Sequence, residues 1–130
     1  MVKVQRLQHA SVPMPPGGNE AARAFYGGTL GLEEVPPPDT LDVERLVWFR
    51  VGADGHEIHV FTEAGNGPSS PGQHLCLQVD DLAAMHQRLS DAGIAIEDPT
   101  AIPNRPRFFI HDPFGNRIEL TQITGNYRES

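Results

Sequence analysis

The order strand, helix, strand, strand, strand can be read twice along this chain, and that repetition constrains the fold more than any other feature. A shift of 60 residues places Trp48 on Phe108 and Gly55 on Gly115, so a strand and the glycine of the following turn recur together. Because element order, turn glycines and strand patterns agree at once, the sequence predicts an α+β protein built from two copies of one βαβββ module.

The first module is predicted to span about residues 4–63. Its first strand alternates polar and apolar side chains from residue 4 and stops at Pro13, while Asn19 is the predicted cap of a helix that Gly31 ends. Three further strands follow, separated by a proline-rich loop and a Gly-Ala-Asp-Gly turn, over residues 32–35, 46–51 and 56–62.

The second module is predicted over about residues 73–124, after a linker at 64–72 that is rich in Gly, Ser and Pro. The helix of this module carries Leu82, Met85 and Leu89 on one stripe, which needs an apolar sheet face to cover. We expect the whole chain, residues 1–130, to form one domain. The elements of the second module are a strand at 73–79, a helix at 81–92, and strands near 94–97, at 106–111 and at 116–123.

Composition and charge exclude several classes of function. Ten Lys and Arg against seventeen Asp and Glu give a formal net charge of −7, which would repel a phosphate backbone, so nucleic acid is not an expected partner. The single cysteine, Cys76, excludes a disulfide scaffold and favours a reducing compartment. The N-terminal segment alternates rather than forming an apolar run, so we expect a cytoplasmic protein with no membrane partner.

Four potential metal ligands fall at only two structural positions of the repeat. His9 matches His74 after a shift of 65 residues, and His59 matches Glu119 after a shift of 60. Side chains alternate faces along a strand, so all four should point away from the helices. Imidazoles and a carboxylate suit a divalent ion such as Zn²⁺, Ni²⁺, Mn²⁺ or Fe²⁺, and the sequence does not distinguish among these metals. Each residue taken alone is also compatible with an ordinary hydrogen-bonded role, and whether His59 is a ligand stays open.

The other histidines have simpler interpretations. His56, His86 and His111 are read as residues of a turn, a helix flank and the lip of a turn. His56 and His59 are three residues apart on a strand, whereas the zinc protease motif needs histidines four apart on a helix. That motif is therefore excluded.

Charged and aromatic residues near the expected cleft have two interpretations each. Arg105 and Arg107 are either an anion clamp or solvated loop charges. The aromatic residues Trp48, Phe61 and Phe108 either line an apolar pocket or belong to the core. The candidate substrate pocket consists of Trp48, Phe61, Arg107 and Phe108.

Three segments resemble the vicinal oxygen chelate superfamily, which includes glyoxalase I, fosfomycin-resistance proteins, extradiol dioxygenases and bleomycin-resistance proteins. Residues 24–32, AFYGGTLGL, resemble that family's FY-x-x-x-LG-L segment, and residues 111–120, HDPFGNRIEL, resemble its DP-x-GN-x-IEL ending. His74 together with residues 79–82, VDDL, is similar to the family's H-x-x-x-x-VDDL stretch. The resemblance covers almost the whole chain.

The resemblance implies a specific architecture and ligand set. The tandem modules would form an open, curved mixed sheet with helices on the outer face. The first and last strands of each module would hold a metal through His9, His59, His74 and Glu119. Short members of the superfamily commonly assemble each cleft from two chains, so a homodimer is expected, with a cleft formed within one chain as the alternative.

The resemblance also implies an activity. We expect a metal-dependent enzyme, either a glyoxalase-like lyase or isomerase, a fosfomycin-resistance-like transferase or a ring-cleaving dioxygenase, that binds two neighbouring oxygens of a small molecule. Glu119 is the expected catalytic residue. In glyoxalase I the position of His59 is usually a carboxylate that serves as a base, so this chain departs from that pattern. The alternative is a metal-free small-molecule binding protein of the bleomycin-resistance type, although those members generally lack the ligand set.

Overall fold

The computed structural model describes residues 1–65 and 70–128, which fall into two compact units, Met1–Gly67 and Pro68–Ser130. Each unit has its own mixed β-sheet and its own helix, which confirms the predicted α+β class. The predicted linker at 64–72 includes residues 66–69, which lie outside the described residues. Within the described ranges, no helix is both long and apolar enough to cross a membrane.

The first unit is a four-stranded sheet with the order β1-β4-β3-β2. β1 runs parallel to β4, and the other neighbours are antiparallel. The predicted bounds of the third and fourth strands are confirmed. The elements are β1 (His9–Met14), α1 (Asn19–Ala22) continuing as a π-helical segment (Arg23–Thr29), β2 (Glu33–Val35), a 3-10 turn (Val43–Arg45), β3 (Leu46–Val51) and β4 (His56–Thr62).

Two predicted boundaries in the first unit are wrong. β1 begins at His9 rather than at residue 4 and continues past Pro13, because a proline is tolerated in a strand at the edge of a sheet. The helix is capped by Gly18 rather than by Asn19. The Asn19 side chain instead donates to the backbone carbonyl of Glu44 at 2.9 Å, which ties the start of the helix to the loop before β3.

The second unit is a three-stranded sheet with the order β5-β7-β6, in which β5 and β7 are parallel. The predicted strand near 94–97 is wrong, because only an isolated bridge joins Glu97 to Phe109. Pro99 follows closely and supplies no N–H donor to extend the pairing. The elements are β5 (His74–Gln78), α2 (Leu82–Asp91), β6 (Arg107–His111) and β7 (Arg117–Thr121).

Strand registers reproduce the internal repeat. In the parallel pair of the first unit, Ser11 lies opposite His59, and in the second unit Cys76 lies opposite Glu119. Ser11 and Cys76 differ by 65 residues, while His59 and Glu119 differ by 60, as the sequence alignment requires. The same strand pair therefore recurs in both units with the same register.

The alignment of β3 with β6 is shifted by one residue from the predicted one. Trp48 lies opposite His59, whereas Phe109, not Phe108, lies opposite Glu119. The turn between β6 and β7 is one residue longer than the turn between β3 and β4. Because adjacent strand residues face opposite ways, this single residue decides which phenylalanine shares a face with Glu119.

Candidate metal and substrate site

His9 and His59 are in direct contact in the first unit. They lie on the neighbouring strands β1 and β4, and their rings stack with centroids 4.1 Å apart. The indole of Trp48, on β3, stacks on His59 with centroids 3.6 Å apart and planes 4° from parallel. His59 is only 8% exposed, and this burial lowers the pKa of its imidazole despite the nearby carboxylate of Glu57. A neutral imidazole is the form that binds metals.

Hydrogen bonds present the two imidazoles differently. Nδ1 of His9 lies 2.6 Å from Oε1 of Gln8, whose amide nitrogen donates to the carbonyl of Gly55 at 3.4 Å. The amide oxygen of Gln8 can only accept, so His9 donates from Nδ1 and leaves Nε2 without a partner in this contact. In His59, by contrast, Nε2 is the nitrogen with a hydrogen-bond partner, because it lies 2.7 Å from Oε1 of Glu57.

His74 and Glu119 form the second contact pair, in the second unit. Nε2 of His74 lies 3.1 Å from Oε1 of Glu119, while Nδ1 lies 2.9 Å from the carbonyl of Gly72. Because Nδ1 donates to that carbonyl, the lone pair of a neutral His74 points at a carboxylate oxygen. Two acceptors at this separation require a shared proton or a shared cation. The separation of 3.1 Å is that of an ordinary hydrogen bond, and a metal held by both groups would take the place of the shared proton.

Two guanidinium groups surround the carboxylate of Glu119. The residue is 1% exposed, and Arg105 Nη2 donates to Oε2 at 2.9 Å while Arg107 Nη1 donates to Oε1 at 3.4 Å. Burial by itself would raise the pKa of Glu119, but the hydrogen bond and charge of Arg105 and the charge of Arg107 lower it overall. Glu119 is therefore ionised at neutral pH, as a metal-binding carboxylate must be.

Cys76 lies beside this cluster, opposite Glu119 on β5. Burial and the charge of Glu119 raise the pKa of its thiol, and they outweigh a weak contact with Arg105 at 3.9 Å. The thiol is protonated at neutral pH and lacks the thiolate character of a nucleophile or a metal ligand.

The candidate ligands form two separate pairs within the described chain. No group of three or more His, Cys, Asp or Glu side chains among the described residues is close enough together to hold a metal ion. His9 contacts His59 in one unit, and His74 contacts Glu119 in the other. Each pair offers nitrogen or carboxylate donors suited to a divalent transition ion, so the donor chemistry fits a metal.

A cleft of about 430 Å³ opens beside His59 in the first unit. Its lining includes Trp48 and Phe61, two of the four candidate pocket residues, together with Arg45. Arg45 Nη2 also donates to the carbonyl of Thr62 at 3.1 Å, which holds the guanidinium in place. The structure thus places an aromatic wall and a cation next to a candidate ligand.

The other two candidate pocket residues lie in the second unit, where both line a cleft of about 540 Å³ although their side chains leave the strand on opposite faces. Arg107 is in contact with Glu119, as described above. Phe108 pairs with Leu120 of β7, and its ring lies edge-on to the ring of His86, with centroids 5.3 Å apart. Phe109 instead lies edge-on to His74 at 5.0 Å. Phe109, rather than Phe108, therefore shares the face of Glu119, because the observed turn between β6 and β7 is one residue longer than the predicted one.

The three remaining histidines have local partners. His56 Nδ1 lies 2.6 Å from the carbonyl of Leu7, His86 lies near Phe108, and His111 Nδ1 lies 3.8 Å from a carboxylate oxygen of Glu97.

Comparisons with known proteins place this arrangement in context. The family model of the glyoxalase/bleomycin resistance protein/dioxygenase superfamily matches residues 6–120. The ethylmalonyl-CoA/methylmalonyl-CoA epimerase of Cereibacter sphaeroides is 29% identical over 136 residues, covering 92% of this chain and 99% of that protein.

Two solved structures are also similar. A protein from Bacillus anthracis assigned to the glyoxalase family is 37% identical, with a TM-score of 0.85, covering 95% of this chain and 98% of the other. TnmS3, an antibiotic binding protein from Streptomyces sp. CB03234, is 25% identical, with a TM-score of 0.76, covering 95% of this chain and 99% of the other.

Proposed function

Because this chain belongs to the glyoxalase/bleomycin resistance protein/dioxygenase superfamily, we propose that it is a divalent-metal-dependent enzyme that binds a small molecule through two neighbouring oxygens. The proposed ligands are His9, His59, His74 and Glu119. One observation carries the proposal. Equivalent strand positions in the two units each bring two metal-competent side chains into contact, at 4.1 Å between ring centroids in one and 3.1 Å between atoms in the other.

The side chains around the ligands support a defined chemical arrangement. Gln8 and the Gly72 carbonyl accept from Nδ1 of His9 and His74, which leaves Nε2 of each ring as the donor to a metal. Arg105 and Arg107 lower the pKa of Glu119 and keep its carboxylate ionised. A bound divalent ion would act as a Lewis acid on a substrate oxygen, an effect worth several kcal/mol of barrier.

The reaction class follows from the carboxylate and from similarity to a known enzyme. Glu119, ionised and next to His74, is the proposed acceptor and donor of a proton at a substrate carbon beside a carbonyl group. The 29% identity to an epimerase over nearly the full chain favours such proton transfer over ring cleavage. We further propose a cytoplasmic homodimer in which the first-unit pair of one chain meets the second-unit pair of its partner.

Metal analysis tests the proposal. Protein purified without a metal-affinity tag, stripped with chelator and reloaded with Zn²⁺, Ni²⁺, Mn²⁺ or Fe²⁺ in turn, should retain about one ion per site after dialysis. Glu119→Ala, His74→Ala and His9→Ala should lose the ion, whereas His86→Ala and His111→Ala, which alter histidines outside the pairs, should keep it. Equally low metal content in wild type and all variants, with every ion tried, would contradict the proposal.

A second candidate function is metal-free binding of a small molecule such as an antibiotic. The similarity to TnmS3 and the 430 Å³ cleft with its Trp48 and Phe61 wall favour it. The two functions differ in one measurement, since ligand binding by a metal-free binder would be unaffected by chelator and by Glu119→Ala.

A further inference from the structure

The buried carboxylate of Glu119 in the second unit faces more than one positively charged side chain. Arg105 and Arg107 both contact Glu119, at 2.9 and 3.4 Å, so two guanidiniums face one carboxylate. We propose that these two arginines form a subsite that holds a carboxylate of the substrate beside Glu119. This inference rests on the proposed function for its place next to the metal, and it deepens that function by naming the substrate class as a carboxylate-bearing small molecule.

Arg107 carries an unsatisfied hydrogen-bond donor. Nε of Arg107 is buried and has no hydrogen-bond partner among the described residues, while Nη1 bonds Glu119 and Nη2 bonds the carbonyl of Thr100 at 3.0 Å. A buried N–H of a charged group without a partner is costly, and such groups in native proteins usually meet an acceptor that is not part of the chain. A substrate carboxylate supplies that acceptor once side chains adjust around it.

The internal repeat provides a comparison for Arg107. Arg107 lies opposite Thr121 in the second unit, and the matching residue of the first unit, Leu46, lies opposite Phe61. The same fold position is therefore filled by an apolar side chain in one unit and by a guanidinium in the other. Since the strand pairing forms with either residue, the sheet itself does not require an arginine at this position.

Aromatic rings hold both guanidiniums in position. Arg105 lies over the ring of Tyr127 at 5.0 Å, and Arg107 lies 5.5 Å from the centroid of Phe109. Ring contacts of this kind restrict a guanidinium while leaving its planar edge able to bind both oxygens of a carboxylate. A pair of such groups beside a Lewis acid would orient a carboxylate so that its neighbouring carbonyl reaches Glu119.

Binding of malonate tests the subsite, with the neutral malonamide as a probe of the same size. Metal-loaded wild-type protein should bind malonate at constant ionic strength, measured by calorimetry, and malonamide at least about tenfold more weakly. Arg107→Leu, which installs the side chain of the first unit, should weaken malonate binding at least about tenfold. Arg107→Lys keeps the positive charge but loses the paired N–H groups of the guanidinium, so it should also weaken malonate binding. A melting temperature close to that of wild type shows that this variant is folded.

Arg117→Leu is the matched control. Arg117 also contacts the ring of Phe109, at 3.7 Å, but its ion-pair partner is Glu97 rather than Glu119. This variant should change the malonate affinity less than about twofold. Equal malonate affinity in wild type, Arg107→Leu and Arg107→Lys would overturn the subsite, as would equal binding of malonate and malonamide.

The metal content of each variant separates this inference from the proposed function. Metal-loaded protein that binds malonate equally in all variants would overturn the subsite and leave the metal function standing. Wild-type protein that retains no metal, yet binds malonate in a manner that depends on Arg107, would overturn the metal function and support the subsite.

Discussion

Replacing Arg105 by glutamine should destabilise the metal-free protein more at neutral pH than in acid. Glu119 is 1% exposed and accepts from Arg105 at 2.9 Å. Burial raises the pKa of Glu119, but Arg105, through its hydrogen bond and charge, and Arg107, through its charge, bring it below the ordinary value. A carboxyl whose pKa is lower in the folded state stabilises the protein above its unfolded pKa, and loses that contribution as the pH falls through the folded pKa.

The magnitude follows from one hydrogen bond between charged groups. Such a bond contributes about 1.5–3 kcal/mol when its partners are buried. The Arg105 side chain is 22% exposed, so solvent screening reduces the expected loss to about 1–2 kcal/mol at pH 7. Below about pH 4 the carboxyl of the variant is protonated in the folded and the unfolded states, so the penalty of burying a poorly paired charge should shrink.

Urea unfolding followed by circular dichroism, at pH 7 and pH 3.5 in the presence of chelator, measures this difference. Arg50→Gln is the control, because Arg50 Nη1 also lies 2.9 Å from a carboxylate oxygen, that of Glu33, but the two side chains are 49% and 65% exposed. It should cost less than about 0.5 kcal/mol at either pH. A cost of Arg105→Gln no larger than that of Arg50→Gln at pH 7, or the same cost at both pH values, would refute this role of Arg105.

Two further predictions concern stability and reactivity. Asp112→Ala should cost about 2–3 kcal/mol in urea unfolding, because the buried carboxylate accepts from two backbone N–H groups of its turn at 2.9 and 2.8 Å. Asp81→Ala, which removes a single capping bond of 3.0 Å at the start of α2, should cost about 1 kcal/mol, and equal costs would refute the distinction. Burial and the charge of Glu119 raise the pKa of the Cys76 thiol. At pH 8, iodoacetamide should therefore alkylate Cys76 more slowly than it alkylates the thiol of free glutathione. Glu119→Gln should speed that alkylation, and an unchanged rate would contradict the electrostatic explanation.

Strands bounded by clear turns were predictable from the sequence. The strands at 46–51 and 56–62 have the predicted bounds because a 3-10 turn precedes them and a four-residue turn with positive-φ glycines separates them. The helix predicted at 81–92 is observed as Leu82–Asp91 between its caps. These signals are local, and local turn and capping chemistry is what a single sequence carries most clearly.

Features set by tertiary context were not predictable in the same way. The segment near 94–97 has strand-like residues, yet it contributes only the bridge between Glu97 and Phe109. The helix of the first unit becomes π-helical over Arg23–Thr29, and nothing in its apolar spacing indicates this. Both outcomes depend on how neighbouring segments compete for hydrogen bonds, which the pattern of one segment does not report.

The candidate site was predictable as far as the repeat could be aligned. The alternation rule placed His9 and His59 on one face, and His74 and Glu119 likewise, and the structure brings each pair into contact. The polar groups that hold these side chains could not be predicted from the repeat. Gln8 and the carbonyl of Gly72 were not predicted, because their role depends on side-chain rotamers and loop geometry rather than on strand register.

Anomalous diffraction from crystals grown with Zn²⁺ tests the central claim most directly, since it locates each ion relative to the candidate ligands. The account predicts a peak about 2.0–2.2 Å from Nε2 of His9 and of His74 and from a carboxylate oxygen of Glu119, supplied by one chain or by two. His59 should lie at the same peak as the fourth ligand. Zinc peaks only elsewhere, with these four side chains far apart both within a chain and between partner chains, would contradict the account.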